Sequence, residues 1–104
     1  MKERKSNKKK IYKIVELYDF PDYIRENYTV INFFKYLNQN NNSFEISKEE
    51  MYFIAKKYKK KYINNINVIS QVVNIYIECS EWDLLSVGEG EADEDYIVTF
   101  FKYV

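Results

Sequence analysis

The chain has 104 residues, 46% of them apolar and 18% aromatic, which makes it one domain and excludes disorder over most of its length. Two Gly, one Pro and a single Cys exclude a turn-rich sandwich and a disulfide-built secreted scaffold. Its net charge of zero is sorted along the chain: residues 1–61 carry 15 of the 16 bases and stand at +7, and residues 62–104 stand at −7.

Residues 1–10 hold six bases against Glu3, with no apolar residue between Met1 and Ile11. They read as a flexible basic arm, leaving 11–104 as a single folded domain. Lys13, Glu16 and Asp19 interrupt the apolar residues beyond the arm, so no signal peptide is expected. No apolar run is long enough to span a bilayer, and the expected location is the cytoplasm, or a host's cytoplasm if the chain is viral.

Ile11, Ile14, Val15 and Tyr18 recur at helical spacing, so a helix is expected over 11–20. A strand is the second choice, because Glu16 breaks the alternation of Tyr12, Ile14 and Tyr18. Pro21 separates this element from the next. Residues 22–39 again show helical spacing, with Val30, Phe33, Phe34 and Leu37 on one face and a local break at Thr29-Val30. The polar run 38–43 ends it.

Ser47-Lys48-Glu49-Glu50 is a capping box, with Ile46 and Met51 at the hydrophobic-staple positions. The helix it starts is expected to bury Met51, Ile54, Ala55, Tyr58 and Tyr62 and to end near Ile63, where Asn64-Asn65 offers a left-handed stop. Lys56, Lys57, Lys59, Lys60 and Lys61 gather toward its negative end.

Residues 66–79 are rich in β-branched side chains and read as a strand, with Val73, Ile75, Ile77 and Cys79 on one face. Trp82–Val87 reads as a second short strand or a continuation. Residues 88–95 are an acidic loop. From Tyr96 to the end the chain alternates, with Val98, Phe100, Lys102 and Val104 inward alongside Tyr96, and Ile97, Thr99, Phe101 and Tyr103 outward. The strands flanking the acidic loop pair most simply as a hairpin. The expected fold is α+β, with two or three N-terminal helices packed on a C-terminal antiparallel sheet of two or three strands.

Catalytic equipment is sparse. There is no His, hence no His-based triad or shuttle. Cys79 has no base nearby in sequence and is expected to be a buried, inert thiol. Gly88-Glu89-Gly90 lies among acids and would repel phosphate. The acidic loop lacks the Gly and terminal Glu of an EF-hand, so neither metal nor cofactor is expected.

Two surfaces remain. The first is acidic: Glu78, Glu81, Trp82, Asp83, Glu89, Glu91, Asp93, Glu94 and Asp95 lie in a stretch with no base. Duplex DNA carries about one charge per 1.7 Å, and a loop this dense in carboxylates imitates it. The expected function is therefore a non-enzymatic interaction protein. Its acidic hairpin, anchored by Trp82, would occlude the basic surface of a nucleic-acid-binding protein. An inhibitor encoded by a phage or mobile element fits the size and the A/T-rich coding that Lys, Asn, Ile, Tyr and Phe imply. The second surface is basic. Lys8, Lys9 and Lys10 in the arm, with Lys56, Lys57, Lys59, Lys60 and Lys61, give the alternative of a nucleic-acid-binding domain. The opposed poles also suit a homodimer.

The expected element order, three helices and then a hairpin, is similar to that of winged helix-turn-helix domains. The resemblance implies a lysine-bearing helix in the major groove and a hairpin loop on the backbone. Here the loop is acidic, so the resemblance concerns element order alone.

Overall fold

The computed structural model describes residues 8–18, 20, 28–40, 44–64, 67–90 and 95–104. In chain order the elements are β1 (Lys10–Tyr18), α1 (Val30–Asn40), α2 (Lys48–Lys57), α3 (Val68–Cys79), β2 (Asp83–Glu89) and β3 (Asp95–Tyr103). The strands form one antiparallel sheet in the order β1-β3-β2, so the C-terminal strand is central. Val15, Leu17, Val98 and Phe100 of the sheet's inner face are fully buried, in one cluster with Phe33, Phe34, Ile54, Val72 and Tyr76 of the helices.

The fold is α+β, but the expected succession of N-terminal helices and C-terminal sheet is corrected at two elements. Residues 10–18 are a strand, paired with β3 from Lys10↔Tyr103 to Tyr18↔Asp95. The inward set is Ile11, Lys13, Val15 and Leu17, the parity opposite to the one Glu16 interrupts. A lysine in the middle of that set hid the alternation. The second correction concerns 66–79. Twelve of these residues form α3, which buries Val68, Val72, Val73, Ile75, Tyr76 and Cys79. Steps of three and four mark a helical stripe. β-branching is only a weak preference, and packing against the sheet and the helix at Lys48–Lys57 overrides it.

α1 buries Val30, Phe33, Phe34 and Leu37, as its spacing predicts. It opens at Thr29, whose hydroxyl accepts from the Asn32 N–H at 3.2 Å. The earlier part of the expected helix, residues 22–27, lies outside the described residues. α2 starts with the predicted capping box. The Glu50 N–H donates to Ser47 Oγ at 3.1 Å, and the Ser47 N–H to Glu50 Oε1 at 3.0 Å. It ends at Lys57, earlier than expected. Ile54 is buried, Met51, Ala55 and Tyr58 are half-buried, and Tyr62 is 63% exposed, outside the stripe assigned to it. The chain instead turns after α2 and pairs with the start of α1. The Val30 N–H donates to Lys61 O (2.7 Å) and the Ile63 N–H to Tyr28 O (3.1 Å). Asn67, at φ 50°, then sets the entry to α3. Asn tolerates that left-handed conformation better than most residues.

An aromatic cluster joins the layers. Tyr76 of α3 meets Phe44 edge-on at 4.8 Å between ring centroids and Phe100 of β3 at 5.2 Å. Such pairs add about 0.5–1.5 kcal/mol beyond their buried area.

Candidate interaction surface

The predicted C-terminal hairpin is present. β2 pairs with β3 from Asp83↔Phe101 to Glu89↔Tyr96, with a bulge between Leu84 and Ser86. The inward parity expected for β3 holds at Val98 and Phe100. Among the described residues only one edge of β2 is paired, since it lies at the margin of the sheet. All seven of its residues are exposed, with Leu84 at 39%, Leu85 at 49% and Val87 at 49%. Gly90 begins the connection, its N–H donating to Asp95 O at 3.0 Å.

The acidic residues singled out from the sequence divide into three groups. Asp83 and Glu89 stand exposed at the two ends of β2 and are in no ion pair among the described residues. Glu91, Asp93 and Glu94 lie outside the described residues, and Asp95 is buried at 8% exposure, where it cannot reach a partner. Glu78 and Glu81 are met by the chain's own lysines. Glu78 lies on α3 and accepts from Lys57 Nζ at 2.7 Å and from the Tyr58 hydroxyl at 2.8 Å. The Lys57 ammonium, then the Tyr58 hydroxyl, hold its carboxyl below the usual range. Burial and then Glu78 push the Tyr58 hydroxyl up to about 12. Glu81 lies 3.6 Å from Lys102.

Trp82 is half-buried at the turn from α3 into β2, with Lys102 Nζ 4.8 Å and Lys13 Nζ 5.5 Å from its ring centroid. Lys13 is a residue that sequence reasoning missed. Its ammonium donates to Glu45 O at 2.6 Å and to the Tyr76 hydroxyl at 2.9 Å, and that hydroxyl donates on to Glu50 Oε2 at 3.1 Å. The Phe44 and Tyr76 rings lie within 5.6 Å of it. Burial lowers the Lys13 pKa and raises that of Tyr76. The one available signal was a lone base on a strand's apolar parity. These groups floor an open groove of about 1410 Å³ between β1, α2 and the α3–β2 turn. Glu45, Glu49, Glu50 and Glu81 face Lys13, Lys56 and Lys102 around it, so it favours neither sign of charge.

The basic candidates fall in two places. Lys8 and Lys9 are exposed, and Lys9 is tied to Val104 by two backbone hydrogen bonds. Lys10 is half-buried, its Nζ 4.6 Å from the Phe101 ring centroid. Lys56, Lys57, Lys59, Lys60 and Lys61 are all exposed, the first two ending α2 and the others in the turn beyond it. The helix that precedes the hairpin is α3, which has no Lys or Arg. The lysine-bearing helix therefore does not hold the position that the winged-helix resemblance implied. Cys79 is buried, as expected, on a helix rather than a strand, and burial raises its thiol pKa.

Among the described residues, no three His, Cys, Asp or Glu side chains converge as metal ligands. No helix of the described residues is long and apolar enough to cross a membrane. No family model, curated protein or solved structure matches this chain.

Proposed function

We propose that this chain is a non-enzymatic interaction domain whose acidic C-terminal hairpin docks a basic surface of another protein. The observation that carries this reading is β2: an edge strand with every residue exposed, one edge unpaired and an acid at each end. Edge strands are normally blunted by Lys, Pro or a bulge; β2 has no Lys or Pro, and its bulge lies at its start, between Leu84 and Ser86. Its regular part beyond the bulge is Ser86–Glu89, leading into a loop of acids. No Lys or Arg occurs between Lys61 and Lys102. An extended basic segment would add a strand through main-chain hydrogen bonds, and the carboxylates would steer it in. Basic segments of that kind also hold nucleic acid, so occupancy would exclude it. The surface has contracted from the nine residues expected: Glu78 is held by Lys57 and Tyr58, Asp95 is buried, and Trp82 supports from beneath.

The test is fluorescence anisotropy with a labelled peptide alternating Lys and Val, at low and at physiological salt. Reversing Glu89, Glu91, Asp93 and Glu94 together to Lys should weaken binding about tenfold or more. Backbone N-methylation of the peptide should weaken it as well. Binding indifferent to both changes refutes the reading.

A second reading has one observation in its favour. Tyr62 is exposed beside Lys60 and Lys61, a combination suited to stacking and phosphate contact. A gel shift at low salt with single-stranded DNA, with and without Lys59, Lys60 and Lys61 changed to Ala, tests it. No shift with the unmodified chain rejects it.

A further inference from the structure

The hydrogen-bond phase of the sheet decides which groups β2 offers at its open edge. In an antiparallel pair, opposed residues alternate between those that exchange backbone bonds and those whose N–H and C=O point the other way. The Gly90 N–H donates to Asp95 O, directly opposite it in the register that sets Glu89 against Tyr96. Counting back by two, Gly88 bonds to Ile97 and Ser86 to Thr99. The other margin agrees: Lys9 and Val104 exchange both bonds, a phase that turns Tyr96 and Val98 toward β1 and away from β2. Val87 and Glu89 therefore aim their N–H and C=O groups at the open edge, so a docked strand finds two donors and two acceptors there.

The side chains along this stretch divide by face. Val87 and Glu89 share the parity of buried Val98, toward the helices, while Ser86, Gly88 and Gly90 share that of Ile97 and Thr99, on the outer side. Beyond the bulge, the outer strip of β2 thus carries no side chain larger than serine. The backbone does not require Gly88: its φ is not positive, and an added Cβ would meet nothing closer than Ile97 O at 3.9 Å. Glycine inside a strand weakens it and often marks a place where another group comes close.

We propose, resting on the docking reading above, that the segment taken up by β2 runs antiparallel to it and carries a basic, an aromatic and a β-branched apolar residue in that order. The base lies opposite Glu89, the aromatic opposite Gly88 and the apolar residue opposite Val87. Glu89 is in no ion pair among the described residues, so its carboxylate is open to the base. The aromatic position falls on a non-hydrogen-bonded pair, where Cα atoms stand about 4.5 Å apart and side chains are closest. Its ring crosses Gly88 and rests on Ile97, which is 36% exposed. The antiparallel direction follows from the better pairing per residue of such ladders.

Fluorescence anisotropy at low salt tests the pattern with labelled peptides that share Thr and Ser flanks and differ at the centre: Lys-Phe-Val, Lys-Ala-Val and Val-Phe-Lys. Lys-Phe-Val should bind about tenfold tighter than either of the others. Gly88→Val places a residue that suits a strand in open space, so the chain should keep its circular dichroism. The substitution should abolish the Phe advantage and leave Lys-Ala-Val binding within about twofold. A Phe peptide no tighter than the Ala one, an advantage that survives Gly88→Val, or a preference for Val-Phe-Lys overturns the pattern. In those cases, binding of the alternating Lys and Val peptide leaves the docking reading standing; if no peptide binds, both fall.

Discussion

Replacing Tyr76 by Phe keeps the buried ring and removes one oxygen. That oxygen accepts from the Lys13 ammonium at 2.9 Å and donates to Glu50 at 3.1 Å, joining β1 and α2 through α3. A hydrogen bond to a charged group is worth about 1.5–3 kcal/mol. Both partners keep access to water or to another acceptor, as Lys13 does at Glu45 O. The two bonds together should therefore cost about 2 kcal/mol, lowering Tm by roughly 10 °C in a chain of this size. Lys13→Met keeps the apolar stem and loses the ammonium with its ring contacts, also at about 2 kcal/mol. The two substitutions share one bond, so the double variant should cost about 1 kcal/mol less than their sum. Urea unfolding of the four proteins, at one low concentration so that association does not contribute, reads this out if the slopes agree. A loss below about 0.5 kcal/mol for Tyr76→Phe, or strict additivity, would show that the cluster does not tie the sheet to the helices.

Two further predictions concern the helix ends. Ser47→Ala should destabilise by about 1 kcal/mol, and Glu50→Ala should cost more, because it removes the acceptor of the Tyr76 hydroxyl as well as its half of the box, while the double variant should cost less than the sum of the two; chemical denaturation of the three variants checks this. The carboxyl of Glu78 is held below its ordinary value by Lys57 and Tyr58, so its contribution to stability is present above its unfolded pKa and is lost as pH falls through the folded one. The stability difference between the unmodified chain and Glu78→Gln should be visible at pH 7, shrink with added salt, begin to fall as pH drops below the ordinary Glu value of about 4.3, and vanish only below the lowered folded pKa.

Local signals were legible where they do not depend on distant partners. The capping box lies within four residues, and the Ser47 and Glu50 hydrogen bonds form as the spacing implies. The inward parity of β3 and the buried face of α1 likewise follow from short periods. The errors arose where tertiary contacts decide. In β1, Ile11, Ile14, Val15 and Tyr18 suggested a helix and Glu16 broke the alternation on one parity, whereas the buried parity carries Lys13, whose charge the Phe44, Tyr76 and Trp82 rings accept. Those rings lie far along the chain, and no local rule anticipates them. In α3, valines and isoleucines suggested a strand, while the spacing Val68, Val72, Tyr76 and Cys79 carried the helix. The acidic surface shows the same division. Density of carboxylates was readable, but Glu78 pairs with a lysine twenty-one residues away and Glu81 stands 3.6 Å from Lys102 of the central strand.

With β3 central, β1 and β2 take opposite margins of the sheet. β2 is the margin whose seven residues are all exposed, with Asp83 and Glu89 at its two ends. An open edge strand invites pairing with any extended chain, its own copies included. Under the proposed reading the acids restrict that pairing: a second acidic edge is repelled, while a basic segment is drawn in. The same charges would then serve both to keep copies of this chain apart and to select the partner.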